Sequence, residues 1–146
     1  MIKNEYKVIG VMSGTSLDGI DLVYVKFQFY DTWHFEIIYS ETTPYDSQWV
    51  ENLRSLVSQS LEGLKEMDNI YTNYLSLRIN AFINKYKIND IDAVCSHGHT
   101  ALHRPEKALT YQIGNMPHLA LLVEQTVVCD FRVQDVEFGG QGAPLV

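Results

Sequence analysis

The stretch from Val8 to Phe27 constrains the fold of this chain more than any other segment. Two apolar runs rich in β-branched residues flank a short turn, Ser13–Gly19, whose sequence is SGTSLDG. Runs joined by such a turn are typical of adjacent antiparallel strands. The turn also exposes several backbone N–H groups in one concave place, which suits an anion such as phosphate. Two interpretations stay open here: an ordinary hairpin whose glycines and hydroxyls satisfy the turn, and a phosphate-binding loop.

The rest of the chain alternates strand-like and helical patterns. The order β-β-β-α-β-(β)-α-β combines an antiparallel meander with βαβ crossovers, so we expect an α/β fold with helices flanking a mixed sheet. We predict six strands: Tyr6–Met12, Ile20–Tyr30, Trp33–Thr42, Asp92–Ser96, Leu109–Ile113 and Thr126–Asp130. We also predict three helices. The first starts at a cap formed by Asp46 or Ser47, the second covers about Leu61–Tyr86, and the third covers Met116–Gln125.

Composition excludes several classes of protein. The 146 residues suffice for one sizeable core, and the net charge of −7 argues against a protein that binds nucleic-acid backbones or a basic membrane-surface module. No apolar run approaches the ~18 residues of a transmembrane span, and the N-terminus does not resemble a signal peptide. Cys95 and Cys129 lie in strand-like runs, where buried free thiols fit a reducing compartment. We expect a cytoplasmic protein with no nucleic-acid or membrane partner.

Three predicted strands end in polar clusters. Met12 leads into the SGTSLDG turn, Cys95 leads into Ser96–His99, and Cys129 leads into Asp130–Arg132. Sheets of this kind place their binding sites at strand ends, so the convergence predicts a cleft. No lysine follows the glycines of the turn, which excludes a Walker-type P-loop. The turn also leads into a strand rather than a helix, which excludes a Rossmann fingerprint.

The group Cys95, His97, His99, His103 and Glu106 raises the question of a metal site. No CxxC or HExxH spacing supports zinc, and Gly98 favours a loop at this place. The alternatives are loop histidines that hydrogen-bond to backbone or solvent, and histidines that recognise a substrate at the rim of a cleft.

Asp130 and Arg132 project to the same side if the strand before them continues. They then form a simple ion pair, or Arg132 binds an anionic group of a substrate with its planar fork. In the second case Asp130 accepts a hydrogen bond from a substrate hydroxyl or helps to hold Mg²⁺. Asp18 and Asp21, beside the turn, are further candidates for Mg²⁺, directly or through water.

Four longer segments carry a resemblance to a known family. In their order along the chain they closely resemble the anhydro-N-acetylmuramic acid kinases, members of the actin-like sugar kinase superfamily. The resemblance implies a ribonuclease H-like mixed sheet that forms the N-terminal lobe of a two-lobe kinase. The segments are Gly10–Val23 (GVMSGTSLDGIDLV), Ser96–Glu106 (SHGHTALHRPE), Thr110–Asn115 (TYQIGN) and Val127–Val146 (VVCDFRVQDVEFGGQGAPLV).

The resemblance also implies a reaction and a set of site residues. Such an enzyme opens the 1,6-anhydro ring of anhydro-N-acetylmuramic acid with water and transfers the γ-phosphoryl group of ATP to O6, giving N-acetylmuramic acid 6-phosphate for cell-wall sugar recycling. Its cofactors are ATP and Mg²⁺, with Asp18 as the candidate metal ligand. By matching positions, the nucleotide segment is Gly14, Thr15, Ser16, Leu17, Asp18, Gly19, Ile20 and Asp21, and the sugar side is Ser96, His97, Gly98, Asp130, Arg132 and Gln134.

This chain departs from the family pattern at two places. Many relatives read DFRRRD where this chain has DFRVQD, so Val133 and Gln134 replace two arginines. Arg132 then carries more of any carboxylate contact, and Gln134 offers uncharged hydrogen bonds. Superfamily members commonly have Asp-x-Gly at the first phosphate loop, where this chain has Met-Ser-Gly, which leaves the metal ligand open.

The family is also more than twice as long as this chain, and its general base lies in a downstream segment resembling FDxGPGN. We therefore expect residues 1–146 to be an incomplete N-terminal lobe, without the second lobe, the base or turnover of its own. Full-length members resemble homodimers. The alternatives are a non-catalytic nucleotide- or sugar-binding or assembly module of the actin-like superfamily, and a different actin-like small-molecule kinase.

Overall fold

The computed structural model describes residues 3–142, which form one six-stranded sheet and four α-helices. Two short 3₁₀ turns lie at Ser55–Ser58 and Pro105–Lys107. Within these residues no helix has the length and apolar character needed to cross a membrane. The elements are β1 (Glu5–Ser13), β2 (Gly19–Phe29), β3 (Trp33–Pro44), α1 (Ser47–Arg54), α2 (Leu61–Tyr86), β4 (Ala93–Arg104), β5 (Leu109–Ile113), α3 (His118–Val123), β6 (Val127–Val128) and α4 (Phe131–Glu137).

The first three strands form the predicted antiparallel meander. Each begins and ends within two residues of its predicted bounds. Ser13 at the end of β1 lies opposite Ile20 in β2, and Gly19 at the start of β2 lies opposite Pro44 at the end of β3. Residues 14–18 therefore form a loop between two paired strand ends, and the end of β3 lies beside it.

Crossovers then build the other half of the sheet, as the element order predicts. The strand order is β3-β2-β1-β4-β5, and β6 also pairs with β4. β4 is parallel to β1 and to β6, and antiparallel to β5. The mixed α/β sheet is confirmed. Because β1, β4 and β6 run in the same direction and Ser13 pairs with His99, the loop after β1 lies beside the middle of β4, and the end of β6 lies on the other side of β4 next to Cys95.

The second half of β4 corrects the sequence prediction. Asp92–Ser96 was expected to be a short strand followed by a loop, whereas β4 continues through His97, Gly98 and His99 to Arg104. β5 pairs with this extension from His99 onward and supplies its hydrogen bonds. Gly98 takes a positive φ of 68° without ending the strand.

The segment after β4 and β5 also differs from its prediction. The predicted helix Met116–Gln125 is shorter, because Pro117 lies before its first residue and Glu124 ends it in a left-handed conformation. The predicted buried strand Thr126–Asp130 contains only Val127 and Val128 in β6. The strand does not continue to Arg132: Asp130 has a left-handed φ of 63°, and the chain turns there into α4.

α1 starts at the predicted Asp46 cap, and Ser60 caps the start of α2. Asp46 accepts a hydrogen bond from the N–H of Trp49 at the start of α1, and Ser60 accepts one from the N–H of Gly63 at the start of α2. α2 has its predicted bounds and ends at Lys87, which is in the left-handed conformation.

The core lies on one face of the sheet. It joins buried side chains of β1, β2, β4 and β5 to those of α1, α2 and α3, with Ile9, Leu75 and Phe82 at 0% exposure. The opposite face of the sheet is also apolar. We call it the open face, because its outer side chains Trp33 and Phe35 are 56% and 69% exposed. Tyr6, Val8, Phe27, Trp33, Phe35 and Cys95 belong to it.

Candidate functional site

The Gly14–Asp18 loop is a tight turn at the edge of the sheet. The N–H of Leu17 donates to the carbonyl oxygen of Gly14 over 3.3 Å, and Leu17 has a φ of 60°. Gly19 ends the loop so close to β3 that a Cβ there would lie 2.4 Å from the carbonyl oxygen of Thr43. Only glycine fits this approach, which explains the second glycine of the motif.

Two backbone donors of the loop are open to a ligand. Thr15 and Ser16 are exposed, and within residues 3–142 their N–H groups make no hydrogen bond. The N–H groups of Leu17 and Gly19 are used inside the loop and its exit. The loop therefore offers adjacent amide donors of the kind that hold an anion.

Asp18 holds the exit of this loop. Its Oδ1 accepts hydrogen bonds from the hydroxyl of Ser16 over 2.6 Å and from the N–H of Gly19 over 3.1 Å. The Ser16 hydrogen bond is the largest of the effects that lower the pKa of the Asp18 carboxyl below its usual value. Asp18 is therefore an exposed carboxylate, which is the kind of ligand that Mg²⁺ prefers.

A cavity of about 340 Å³ opens beside the loop. The loop, the strand β4 and the helix α4 all line this cavity, so each of the three predicted polar segments contributes to it. The loop and β4 belong to the sheet, and α4 forms the third side. The lining residues are Met12, Ser13, Gly14, Thr15, Ser16, His97, Thr100, His103 and Arg132.

His97 and Arg132 form the polar wall opposite the loop. His97 Nδ1 lies 3.0 Å from the carbonyl oxygen of Gly98, to which it donates, and its Nε2 lies 3.5 Å from Arg132 Nη2. Burial lowers the pKa of His97 most, the Gly98 contact partly offsets this, and the Arg132 charge lowers the pKa further. His97 is therefore a neutral imidazole whose Nε2 accepts from the guanidinium. Arg132 itself is only 6% exposed.

The remaining predicted sugar-side residues do not line this cavity. Ser96 is fully buried, and its hydroxyl makes no hydrogen bond within the described residues. A Cβ at Gly98 would lie 2.6 Å from the carbonyl oxygen of Ile113, so its role is close packing of β4 on the end of β5. Gln134 is exposed on α4.

Two of the predicted nucleotide-segment residues lie in β2 rather than in the loop. Ile20 is fully buried in the core. Asp21 is exposed, and its Oδ1 accepts a hydrogen bond from the hydroxyl of Thr42 in β3. Both positions therefore support the strand that leaves the loop.

Asp130 faces a second cavity of about 320 Å³, together with Asp68 and Asn115. Asn115 Nδ2 donates to the carbonyl oxygen of His97 and to Asp130 Oδ1, over 3.3 and 3.4 Å. Asn115 thus bonds to a residue of each cavity, His97 and Asp130. The sequence analysis did not include Asn115 among the site residues. It comes after β5, so the criterion of polar residues at strand ends would have identified it.

Asp68 is a second residue that sequence reasoning missed. It lies on α2, is 9% exposed, and its Oδ1 accepts a hydrogen bond from the N–H of Gly114 over 2.7 Å. Burial raises the pKa of the Asp68 carboxyl, and the Gly114 hydrogen bond partly offsets that rise. A carboxylate on the helical stripe gave no separate signal, because helix periodicity marks only its apolar neighbours.

The histidine-rich segment does not assemble a metal site in the part of the chain that the structure describes. Across residues 3–142, no three His, Cys, Asp or Glu side chains come close enough together to hold a metal ion. Cys95 and Cys129 are free thiols and only half-buried, and burial raises the pKa of both.

Comparisons with known proteins find one matching family. The sequence model of the family described as anhydro-N-acetylmuramic acid kinase matches residues 6–146. Curated proteins named anhydro-N-acetylmuramic acid kinase are similar to the chain. The one from Bradyrhizobium diazoefficiens is 39% identical, over 94% of this chain and 40% of its own length. Those from Haemophilus influenzae and Mannheimia succiniciproducens are 38% and 40% identical, over 94% and 100% of this chain. The chain spans 37% and 40% of those two relatives.

Proposed function

The chain belongs to the anhydro-N-acetylmuramic acid kinase family, and on that premise we propose that it forms the phosphate-binding and part of the sugar-binding wall of such a kinase. The overall reaction joins the anhydro-sugar, water and ATP to give N-acetylmuramic acid 6-phosphate and ADP. Water adds at the anomeric carbon and opens the anhydro bridge, and O6 takes the γ-phosphoryl group. The main observation that supports this proposal is the cavity that lies between the Gly14–Asp18 loop and the His97–Arg132 pair.

The loop holds the β- and γ-phosphates in this proposal. The N–H groups of Thr15 and Ser16 make no other hydrogen bond within the described residues, and Gly14 keeps the backbone bare where the phosphates approach. Phosphoryl transfer requires mainly positioning and neutralisation of charge, which backbone donors at fixed places provide.

Mg²⁺ fits beside the loop. Asp18 is an exposed carboxylate whose pKa lies below its usual value, so it is ionised at neutral pH. It lies at the end of the loop whose amides face the phosphates. We propose that Asp18 holds Mg²⁺ directly or through water, and the ion neutralises phosphate charge when bound.

Arg132 and His97 face the sugar in this proposal. Arg132 offers its planar fork to the carboxylate of the sugar's lactyl group, a task for which a bidentate donor is suited. His97 holds the guanidinium through Nε2 and is itself fixed by the Gly98 carbonyl. Asp130 faces the neighbouring cavity and Gln134 is exposed on α4, so we propose that they contact the parts of the sugar that extend beyond this cavity. Buried Ser96 and closely packed Gly98 position the strand that carries His97.

A second candidate function is binding without turnover. Among the described residues that line the cavity there is no carboxylate to activate the attacking water. His97 is a poor base, because burial and Arg132 lower its pKa. We therefore propose that turnover requires the part of the longer relatives that this chain does not match. Because the reaction consumes ATP, we propose that the protein works in the cytoplasm, and that it forms a homodimer when joined to that part.

Two measurements test the proposal. Isothermal titration of the 146-residue chain with ATP and Mg²⁺ should show binding that Gly14→Ala weakens at least tenfold, because the new methyl group lies where phosphate approaches. Ser40→Ala, on an exposed part of β3, is the control. The chain should also release ADP in the presence of anhydro-N-acetylmuramic acid when it is fused to the unmatched part of the Haemophilus influenzae relative, and Arg132→Gln should abolish this. A well-folded fusion that releases no ADP with the anhydro-sugar contradicts the kinase proposal, and turnover by the 146 residues alone contradicts the need for the unmatched part.

A further inference from the structure

A buried hydrogen-bond chain lies directly beneath the Gly14–Asp18 loop. The hydroxyl of Tyr71 is 2.5 Å from that of Tyr45, which is 2.6 Å from Ser13 Oγ, which is 3.0 Å from His99 Nδ1. All four side chains are at most 9% exposed. They come from α2, the segment after β3, the end of β1 and β4. These hydrogen bonds therefore connect Ser13, at the start of the loop, to α2, to the segment after β3 and to β4.

All four groups of this hydrogen-bond chain are uncharged at neutral pH. Burial raises the pKa of Tyr45, and raises that of Tyr71 well above its usual value, so both phenols keep their protons. Burial lowers the pKa of His99 to about 4, so its imidazole is neutral at pH 7. Each hydroxyl therefore has one proton to donate within the chain Tyr71–Tyr45–Ser13–His99.

Tyr45 contacts both ends of the loop. Its hydroxyl reaches Ser13, the residue before Gly14, and its backbone N–H donates to the carbonyl oxygen of Asp18 over 3.3 Å. It also directly follows Pro44, which pairs with Gly19. Tyr45 thus bonds to both ends of the loop and adds to the strand pairing of Ser13 with Ile20 that also holds them.

Rigid neighbours hold Tyr45 itself. Its ring lies 6.2 Å from that of Tyr74, and Trp49 packs on Tyr74 at 4.2 Å and on Tyr71 at 5.5 Å. These rings belong to α1 and α2, so the loop is fastened to the helical layer of the core. Leu17 of the loop also packs against this core, whereas Thr15 and Ser16 are exposed.

We propose that Tyr45 is a positioning residue for the phosphate loop, holding its two ends at the spacing that points the Thr15 and Ser16 amides into the cavity. The inference rests on the proposed function for its ligand, a nucleotide phosphate. The placement of the loop is a property of the free chain and can be tested without any ligand.

The test compares two variants that each remove one hydroxyl from the same chain. Tyr45→Phe removes the hydroxyl that bonds to Ser13, whereas Tyr71→Phe removes a hydroxyl that bonds to Tyr45 and leaves the Tyr45–Ser13 bond in place. Tyr45→Phe removes two buried hydrogen bonds and Tyr71→Phe removes one of the same two, so a general loss of stability affects both. Amide proton and nitrogen chemical shifts of the Gly14–Asp18 loop are measured for each variant without ligand, and then affinity for ATP with Mg²⁺.

We expect Tyr45→Phe to shift the amide signals of Gly14, Thr15 and Ser16, and to change those of Asp18 less, because the bond from the Tyr45 N–H remains. Tyr71→Phe should leave these signals at their wild-type positions. Tyr45→Phe should also weaken ATP binding at least fivefold relative to Tyr71→Phe. If Tyr45→Phe does not fold, Ser13→Ala removes the other end of the same bond and should give the same loop shifts.

Equal loop shifts in the Tyr45 and Tyr71 variants, or none in either, overturn the positioning role. Loop shifts confined to Tyr45→Phe together with an absence of ATP binding by the wild-type chain support the positioning role and contradict the proposed function. The two failures are therefore distinguishable.

Discussion

His99 should make the stability of this protein fall when the pH is lowered from 7 to 5. The side chain is 2% exposed, and burial, then the nearby His97, lowers its pKa from 6.5 to about 4, against a smaller opposing effect of Ser13. Below pH 6.5 the unfolded chain takes up a proton at this residue while the folded protein does not. The stabilisation is therefore complete above pH 6.5 and is lost as the pH falls toward 4.

The size of the effect follows from the two pKa values. A difference between 6.5 and about 4 corresponds to roughly 3 kcal/mol over the whole range. At pH 5 the folded protein is still largely unprotonated at His99, and about 2 kcal/mol has been lost. This loss is a measurable fraction of the total stability of ~5–15 kcal/mol expected of a domain.

The measurement is urea unfolding of the wild type and of His99→Gln at pH 7 and pH 5. Glutamine keeps a polar partner for Ser13 but does not titrate. Asp68 has a raised pKa, so its contribution changes with pH in the opposite direction, but it is present in both proteins and cancels in the comparison. The wild type should lose about 2 kcal/mol more than the variant. If both lose the same free energy within ~0.5 kcal/mol, His99 is not a buried neutral histidine and the reasoning is refuted.

Substitutions elsewhere test the packing around the site by urea unfolding. Asp68→Ala should cost about 2 kcal/mol, because the N–H of Gly114 loses its acceptor, and Asp68→Asn less than ~1; equal costs would contradict this role. Gly114→Ala should cost at least ~2 kcal/mol more than Gly139→Ala, because both have positive φ but only the first places a Cβ 2.7 Å from Tyr71 Cδ1; similar costs would refute the clash. Phe35→Ser, on the open face, should change stability by less than ~1 kcal/mol and lower the fluorescence of bound ANS. An unchanged ANS signal would show that the open face is not the dye-binding surface.

Local signals were sufficient for the meander and the long helix. Ser60 caps α2 and Lys87 ends it in the left-handed conformation, so both bounds follow from residues within one turn of the helix ends. The meander likewise has its turns and alternation within a few residues of one another. Such elements need no information from distant parts of the chain.

β4 shows where local signals fail. Gly98 marks the end of a strand by the usual criterion, yet β4 continues because β5, which begins at Leu109, pairs with it from His99 onward. At Asp130 the reverse holds: the apolar pattern favours continuation, but the left-handed backbone turns the chain into α4. In both places the end of the strand depends on whether a neighbouring strand pairs with it. Local sequence patterns do not contain that information.

In the candidate site, too, the sequence predicts which segments come together but not which side chains face the cavity. The strand-end criterion brings Gly14, Thr15 and Ser16 to the same edge as His97 and Arg132, and the structure places these five around one cavity. The criterion does not give the rotation of a side chain about its strand or helix, which is why Ser96 points into the core and Asp130 faces a different cavity. Matching a motif therefore identifies a segment more reliably than it identifies the contacting atoms.

The shape of the loop and its chemistry come from different parts of the sequence. The SGTSLDG motif supplies the amides and the carboxylate, whereas Tyr45, far outside the motif, bonds to both ends of the loop. A tyrosine that packs on other aromatic rings is typical of a core, and nothing in its local sequence separates packing from positioning. The distinction depends on its two hydrogen bonds, one on each side of the loop. A change in nucleotide affinity can therefore arise from residues that never touch the nucleotide, and the side chains to vary first are those bonded to the loop root.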